Sequence, residues 1–125
     1  MPEPEEKRRH PYHRKFVRHK VRLKVEVQAQ AKKSYQSWTN NLSEDGVCFE
    51  IPQKVEVGDE VGVWIYVSRS RKDEHVRTRA RVVWNEKGRK GHRHGGHFVW
   101  FREKDQERLR AFLAVMKNPT LPPPP

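Results

Sequence analysis

In four short runs of this chain apolar residues recur at every second position, a period that commits most of it to strands with one buried face. Val21, Leu23, Val25 and Val27 alternate with Arg22, Lys24 and Glu26, and Val47, Phe49 and Ile51 alternate with Cys48 and Glu50. Val61, Val63, Ile65 and Val67 make a third run after Gly58-Asp59, a turn signal. Val76, Thr78, Ala80, Val82 and Trp84 make a fourth, with Arg77, Arg79 and Arg81 on the opposite face, so the alternation points Trp84 into the core. Phe98 to Phe101 close a fifth strand after Gly95-Gly96, and a shorter strand covers Tyr35 to Asn41. The polar segments Ser68–Glu74 and Asn85–Gly91 are predicted to be hairpin loops.

One segment has a different period. Leu109, Phe112, Leu113 and Met116 stand at i, i+3, i+4 and i+7, one face of a helix, with Asp105 as the expected N-cap and Pro119 as its stop. Several short antiparallel strands and a terminal helix predict a mainly β domain: a small antiparallel six-stranded barrel with one C-terminal helix. Residues 14–117 form that domain. Residues 1–13 are expected to be a flexible basic arm, because prolines and charges leave little apolar surface to offset ordering entropy. Residues 118–125, closing on four prolines, are expected to be a disordered tail.

Charge narrows the partners. Lys and Arg total 27 against 16 Asp and Glu, a formal net charge of +11, which draws in nucleotides, nucleic acids or other phosphate-bearing anions. The lone Cys48 cannot form an internal disulfide. No apolar run reaches the ~20 residues of a membrane span, and the charged N-terminus from Glu3 to Arg9 lacks the apolar stretch of a signal peptide. A cytoplasmic protein without membrane insertion is therefore expected. His92, His94 and His97 are close in sequence but have no carboxylate or cysteine cluster to complete a metal site. No Ser/His/Asp order, phosphate-cradling loop or carboxylate pair argues for catalysis. The expectation is a binding protein with no metal and no enzymatic activity.

Two stretches carry specific chemistry. Arg14-Lys15-Phe16-Val17-Arg18 places two arginines ahead of the first strand. Each guanidinium can pair bidentately with a phosphate or with the O6/N7 edge of guanine. Asn41-Leu42-Ser43-Glu44-Asp45-Gly46 places an amide and a hydroxyl two residues apart, facing one side if both lie on a strand, with Gly46 suited to a tight turn at positive φ. The bland alternatives are solvated charges for the arginines and an ordinary Asx-type turn for the second stretch.

Taken together, RxxxR, a strand, then NxSxxG resembles the PilZ domain family, receptors for the bacterial second messenger cyclic di-GMP. Gly95-Gly96-His97-Phe98 resembles the family's GxxF strand, and the resemblance covers about residues 14 to 116. It implies that Arg14 and Arg18 grip guanine edges and phosphates, that Asn41 and Ser43 contact the ligand, and that Gly46 shapes the turn. It also implies that Trp84 stands where an aromatic in some relatives packs on a guanine. His13 precedes Arg14 where many relatives carry Arg, a neighbourhood that bears on whether one or two ligand molecules bind. The implied function is a cyclic di-GMP receptor whose arm orders on binding and which signals through an as yet unidentified downstream protein. The alternative from composition alone is a basic small-barrel protein that binds nucleic acid.

Overall fold

In a computed structural model the described residues are 19–29, 33–67 and 74–117. Arg14 and Arg18, the expected arm and tail, and most of the loop from Ser68 to Glu74 lie outside them. Six strands are formed: β1 (Lys24–Gln28), β2 (Ser34–Leu42), β3 (Gly46–Ile51), β4 (Glu60–Tyr66), β5 (His75–Lys87) and β6 (His92–Phe101), followed by one helix, α1 (Asp105–Lys117). They close into a barrel in the order β1-β2-β3-β6-β5-β4, every pair antiparallel.

The alternation in the sequence fills the interior. Val25, Val27, Phe49, Val61, Val63, Ile65, Val76 and Ala80 are fully buried, and Leu42, Val47, Ile51 and Val82 join them. Branched side chains suit the pleated wall of a narrow barrel. Each large one contributes roughly 1.5–3 kcal/mol by leaving water. Leu109 and Leu113 of α1 complete the core, with Phe112 packed against it.

Several expectations are corrected. The first ladder starts at Lys24 rather than Val21, because Thr39 takes over the backbone just upstream. Leu23 N–H donates to Thr39 Oγ1 at 2.9 Å, Thr39 N–H donates to Leu23 O at 2.8 Å, and the Thr39 hydroxyl donates to Val21 O. The second strand spans nine residues, Ser34–Leu42. The Asn85–Gly91 loop is shorter than its polarity suggested: Asn85, Glu86 and Lys87 pair with His94, Arg93 and His92 as a barrel-end hairpin. An Arg93–Glu86 ion pair at 3.1 Å lies across that ladder.

Asp105 does more than begin the helix. Its carboxylate, fully buried, accepts from Arg77 N–H of β5 at 2.8 Å and pairs with Arg102 at 2.8 Å and Arg108 at 3.4 Å. The expected N-cap is instead a clamp between α1 and β5, because a buried carboxylate needs charged or N–H partners from the elements around it.

His94 plugs the barrel near the loop after β3. It is fully buried, stacks on Phe49 with centroids 5.1 Å apart, and its Nε2 accepts from Val55 N–H at 2.9 Å. That bond places the imidazole proton on Nδ1. Burial, aided by nearby His92, lowers its pKa from 6.5 to about 4. Between these values the unfolded chain binds a proton that the folded one excludes, so stability falls as pH drops through the window. The loss reaches on the order of 3 kcal/mol at its foot. Denaturant unfolding followed from neutral pH to about pH 4 should show this decline, and His94→Gln, which keeps an acceptor without titrating, should flatten it.

Candidate nucleotide-binding site

Two extra residues, one in β2 and one in β5, determine which side chains face outward around one part of the wall. In β2 the register shifts between Thr39, opposite Phe49, and Asn41, opposite Cys48. Thr39 and Leu42 are both buried in the interior. Asn40 is the additional residue, and it turns Asn41 to the outer face. In β5 the register shifts between Val82, opposite Gly96, and Trp84, opposite Gly95. Val83 is the additional residue there. Trp84 therefore leaves the interior face that strict alternation assigned to it, since a bulge reverses the parity of everything beyond it.

The result is one outer row across four strands: Asn41 on β2, Cys48 on β3, Gly95 on β6 and Trp84 on β5. Gly95 makes the row possible. A Cβ on it would overlap the Trp84 indole, so the missing side chain is the seat on which the ring rests. Trp84 Nε1 is buried and has no hydrogen-bond partner among the described residues. Asn41, Ser43, Gly46, Cys48, Gly95 and Gly96 line a small pocket with about 210 Å³ of empty space, open solvent included.

Ser43 lies just past β2, in the turn to β3, so its relation to Asn41 is not that of two residues on one strand face. Its hydroxyl bonds the Asp45 carboxylate and accepts from Gly46 N–H at 3.2 Å and Asp45 N–H at 3.3 Å. Ser43 N–H donates to Gly46 O at 3.0 Å. A serine closing its own turn satisfies backbone donors that the tight reversal would otherwise strand. Gly46 is required for a different reason from the one its turn position suggested. Among the described glycines, positive φ belongs to Gly58 at 99°. At Gly46 the constraint is close approach, because a Cβ would run into the carbonyl oxygen of Gly96 on β6.

Two contacts tie neighbouring chain to this corner. His19 forms an antiparallel bridge with Leu42: His19 N–H donates to Leu42 O at 2.9 Å and Leu42 N–H to His19 O at 3.0 Å. The residue that follows Arg18 is therefore fixed beside Asn41. On the other side, Arg110 of α1 donates to Glu44 of the turn at 3.0 Å.

The PilZ domain model matches residues 12–115 of the sequence. The chain belongs to the PilZ domain family. Among solved structures this PilZ domain is similar to the Bacillus subtilis inhibitor of motility MotI/DgrA, with TM-score 0.71 and 15% identity over 85% of this chain and 52% of that one. It is also similar to K. pneumonia MrkH in its c-di-GMP complex, with TM-score 0.71 and 10% identity over 87% of this chain and 54% of that one. The PilZ domain of Escherichia coli YcgR with c-di-GMP gives TM-score 0.60 and 10% identity over 88% of this chain and all of that one. At these identities the likeness is one of fold. The chain spans about half the length of the first two. No curated protein matches it.

Sequence reasoning matched Gly95 to the family's GxxF strand without giving it a role at the site, and overlooked His19. The signal for Gly95 was present as a glycine pair inside a run long enough to be one strand, which marks close approach of another group. Gly95→Ala should cost roughly 1–3 kcal/mol by overpacking. Combined with Trp84→Ala, most of that cost should vanish in a double-mutant cycle read by chemical denaturation. Additive costs would mean that the indole does not rest on Gly95.

Proposed function

We propose that this PilZ domain is a cyclic di-GMP receptor that does no chemistry on its ligand. The observation that carries the reading is the outer row of Asn41, Gly95 and Trp84, placed beside the His19–Leu42 bridge that anchors the end of the RxxxR segment. The ligand's two phosphates and two flat bases match what this corner offers. Trp84, seated on Gly95, supplies the outer face of its ring for stacking, and Asn41 supplies an amide for a guanine edge at the small pocket it lines. Arg14 and Arg18 supply forked donors for phosphates and guanines. Ser43 and Gly46 act on the ligand by holding the turn beneath it. The c-di-GMP complexes of MrkH and YcgR, which share the fold, support the same ligand class.

In this reading residues 14–117 form the receptor, residues 1–13 extend the basic arm, and residues 118–125 form a tail. The protein works in the cytoplasm and passes its signal to a separate protein. The segment through Lys24 carries nine Lys and Arg against three Glu, so without an anion its approach to a basic barrel is repelled. The dianionic ligand removes that repulsion and bridges the two. Ordering costs on the order of 1 kcal/mol per backbone residue fixed, so the rigid stretch is confined to the few residues around the two arginines.

Calorimetric titration with cyclic di-GMP, in parallel with GTP, tests the ligand. Arg14→Ala and Arg18→Ala should each weaken binding by one to two decades, the loss of a charge-assisted bond worth roughly 1.5–3 kcal/mol, while leaving the thermal transition of the free protein in place. Asn41→Ala should cost more affinity than Ser43→Ala, because the Ser43 hydroxyl is engaged within its turn. Wild-type affinity in both arginine variants would overturn the site.

The switch has its own readout. Amide hydrogen exchange of residues 14 to 20 should slow on adding cyclic di-GMP. Equal protection with and without bound ligand would leave a receptor with a preformed pocket.

A further inference from the structure

On the wall away from the row of Asn41 and Trp84, the barrel exposes a band of rings and cations that the receptor reading does not use. It crosses β2, β1, β4 and β5. Trp38 stands opposite Lys24 and is 47% exposed. The Arg22 guanidinium lies 5.1 Å from its ring centroid. Lys24 in turn reaches over the Tyr66 ring at 6.0 Å. Two residues before Tyr66, Trp64 stands opposite Arg77, whose guanidinium lies 5.0 Å from the indole centroid. Tyr66 and Trp64 also flank His75, at 5.3 and 6.2 Å. Among the described residues the acidic side chains beside the band are Glu26, opposite Trp64, and Glu60, further along β4 and paired with Arg79 and Arg81.

We propose that this band binds single-stranded nucleic acid, each ring and its cation taking one base and one phosphate. The proposal does not rest on the cyclic di-GMP reading, since none of its residues belongs to the row of Asn41, Cys48, Gly95 and Trp84, although Trp38 shares β2 with Asn41. Three physical points select this occupant. The first is charge: a chain of net charge +11 attracts a polyanion, and phosphate neutralisation supplies most of the affinity of such surfaces. The second is composition: every ring has a cation against it, the pairing of stacking platform and positive charge that single-strand binders combine. The third is shape. The band lies on the convex wall of a closed barrel, with Trp38 on β2 and Trp64 and Tyr66 on β4, separated by β1 and its Lys24. Unpaired bases can lie flat on such rings, whereas a duplex keeps its bases inside and would present only its backbone. Stacking on a ring tolerates any base, so the surface reads no sequence.

The test is fluorescence anisotropy of the full chain with a labelled oligothymidylate, its duplex of equal length, and polyglutamate, over a salt series. The single strand should bind most tightly, with affinity falling as salt rises. Trp38→Ala should weaken it about tenfold and Trp38→Phe should restore most of the loss, because the ring and not the indole nitrogen carries the stacking. Arg77→Gln should reduce the slope of log affinity against log salt by roughly 0.7, one phosphate contact on a single strand. Thermal unfolding of each variant confirms that the barrel is intact. Absence of binding at low salt would overturn the proposal. So would equal affinity for polyglutamate with no effect of Trp38→Ala, which would assign the band to an acidic protein instead.

Discussion

A closed barrel has no free edge, so a side chain that breaks the inside–outside alternation can do so only where an extra residue enters one strand. Most of what is particular to this protein depends on that constraint. Asn40 in β2 and Val83 in β5 are such residues. Without them Leu42 would leave the core and Trp84 would enter it. With them, Leu42 stays buried while Asn41 and Trp84 come onto one outer row, facing each other across Cys48 and Gly95. A third shift, between Arg79 and Ala80, accommodates Val99 in β6 and leaves Val99 and Trp100 exposed while Phe98 remains buried. Bulges weaken the ladder locally, and the continuous valine interior on both sides of them offsets that loss.

The corner so formed is braced from three directions. The Ser43–Gly46 turn is closed by its own serine, the chain before β1 is pinned by the His19–Leu42 bridge, and α1 reaches the turn through Arg110 and Glu44. The helix is held in turn by Asp105, whose buried carboxylate joins β5 to the segment leading out of β6. An exposed pair such as Arg110–Glu44 contributes little to stability, but it gives the turn a direct mechanical link to the one helix among the described residues.

Charge is distributed so that the site stays adaptable while the core stays fixed. Among the described residues positive charge is carried on strand exteriors and is partly balanced locally. Glu60, for example, is held below the usual carboxylate range by hydrogen bonds from Arg79 and Arg81. Inside the barrel the titratable group is the imidazole of His94, kept neutral by burial and by the Val55 N–H it accepts. The fold therefore depends little on screening by salt, whereas recognition of an anion at its surface depends on it strongly.

By itself the sequence determined the strands, the helix, the barrel class and the two short motifs, because hydrophobic period and turn chemistry act between near neighbours and are written directly in residue order. The resemblance those motifs carry singled out Asn41, Ser43, Gly46 and Trp84 as candidate residues. Their geometry was decided only by tertiary structure. The alternation of Ala80, Val82 and Trp84 assigned the indole to the core, since an extra residue is visible only against the register of a partner strand. Asp105 presented itself as a helix cap, and its role as a clamp depends on Arg77, far from it in sequence. Gly46 suggested a left-handed turn, and it is the carbonyl of Gly96 on a neighbouring strand that excludes a side chain there. In each case local chemistry identified the residue, and a contact made across the barrel, which no local pattern encodes, determined what it does.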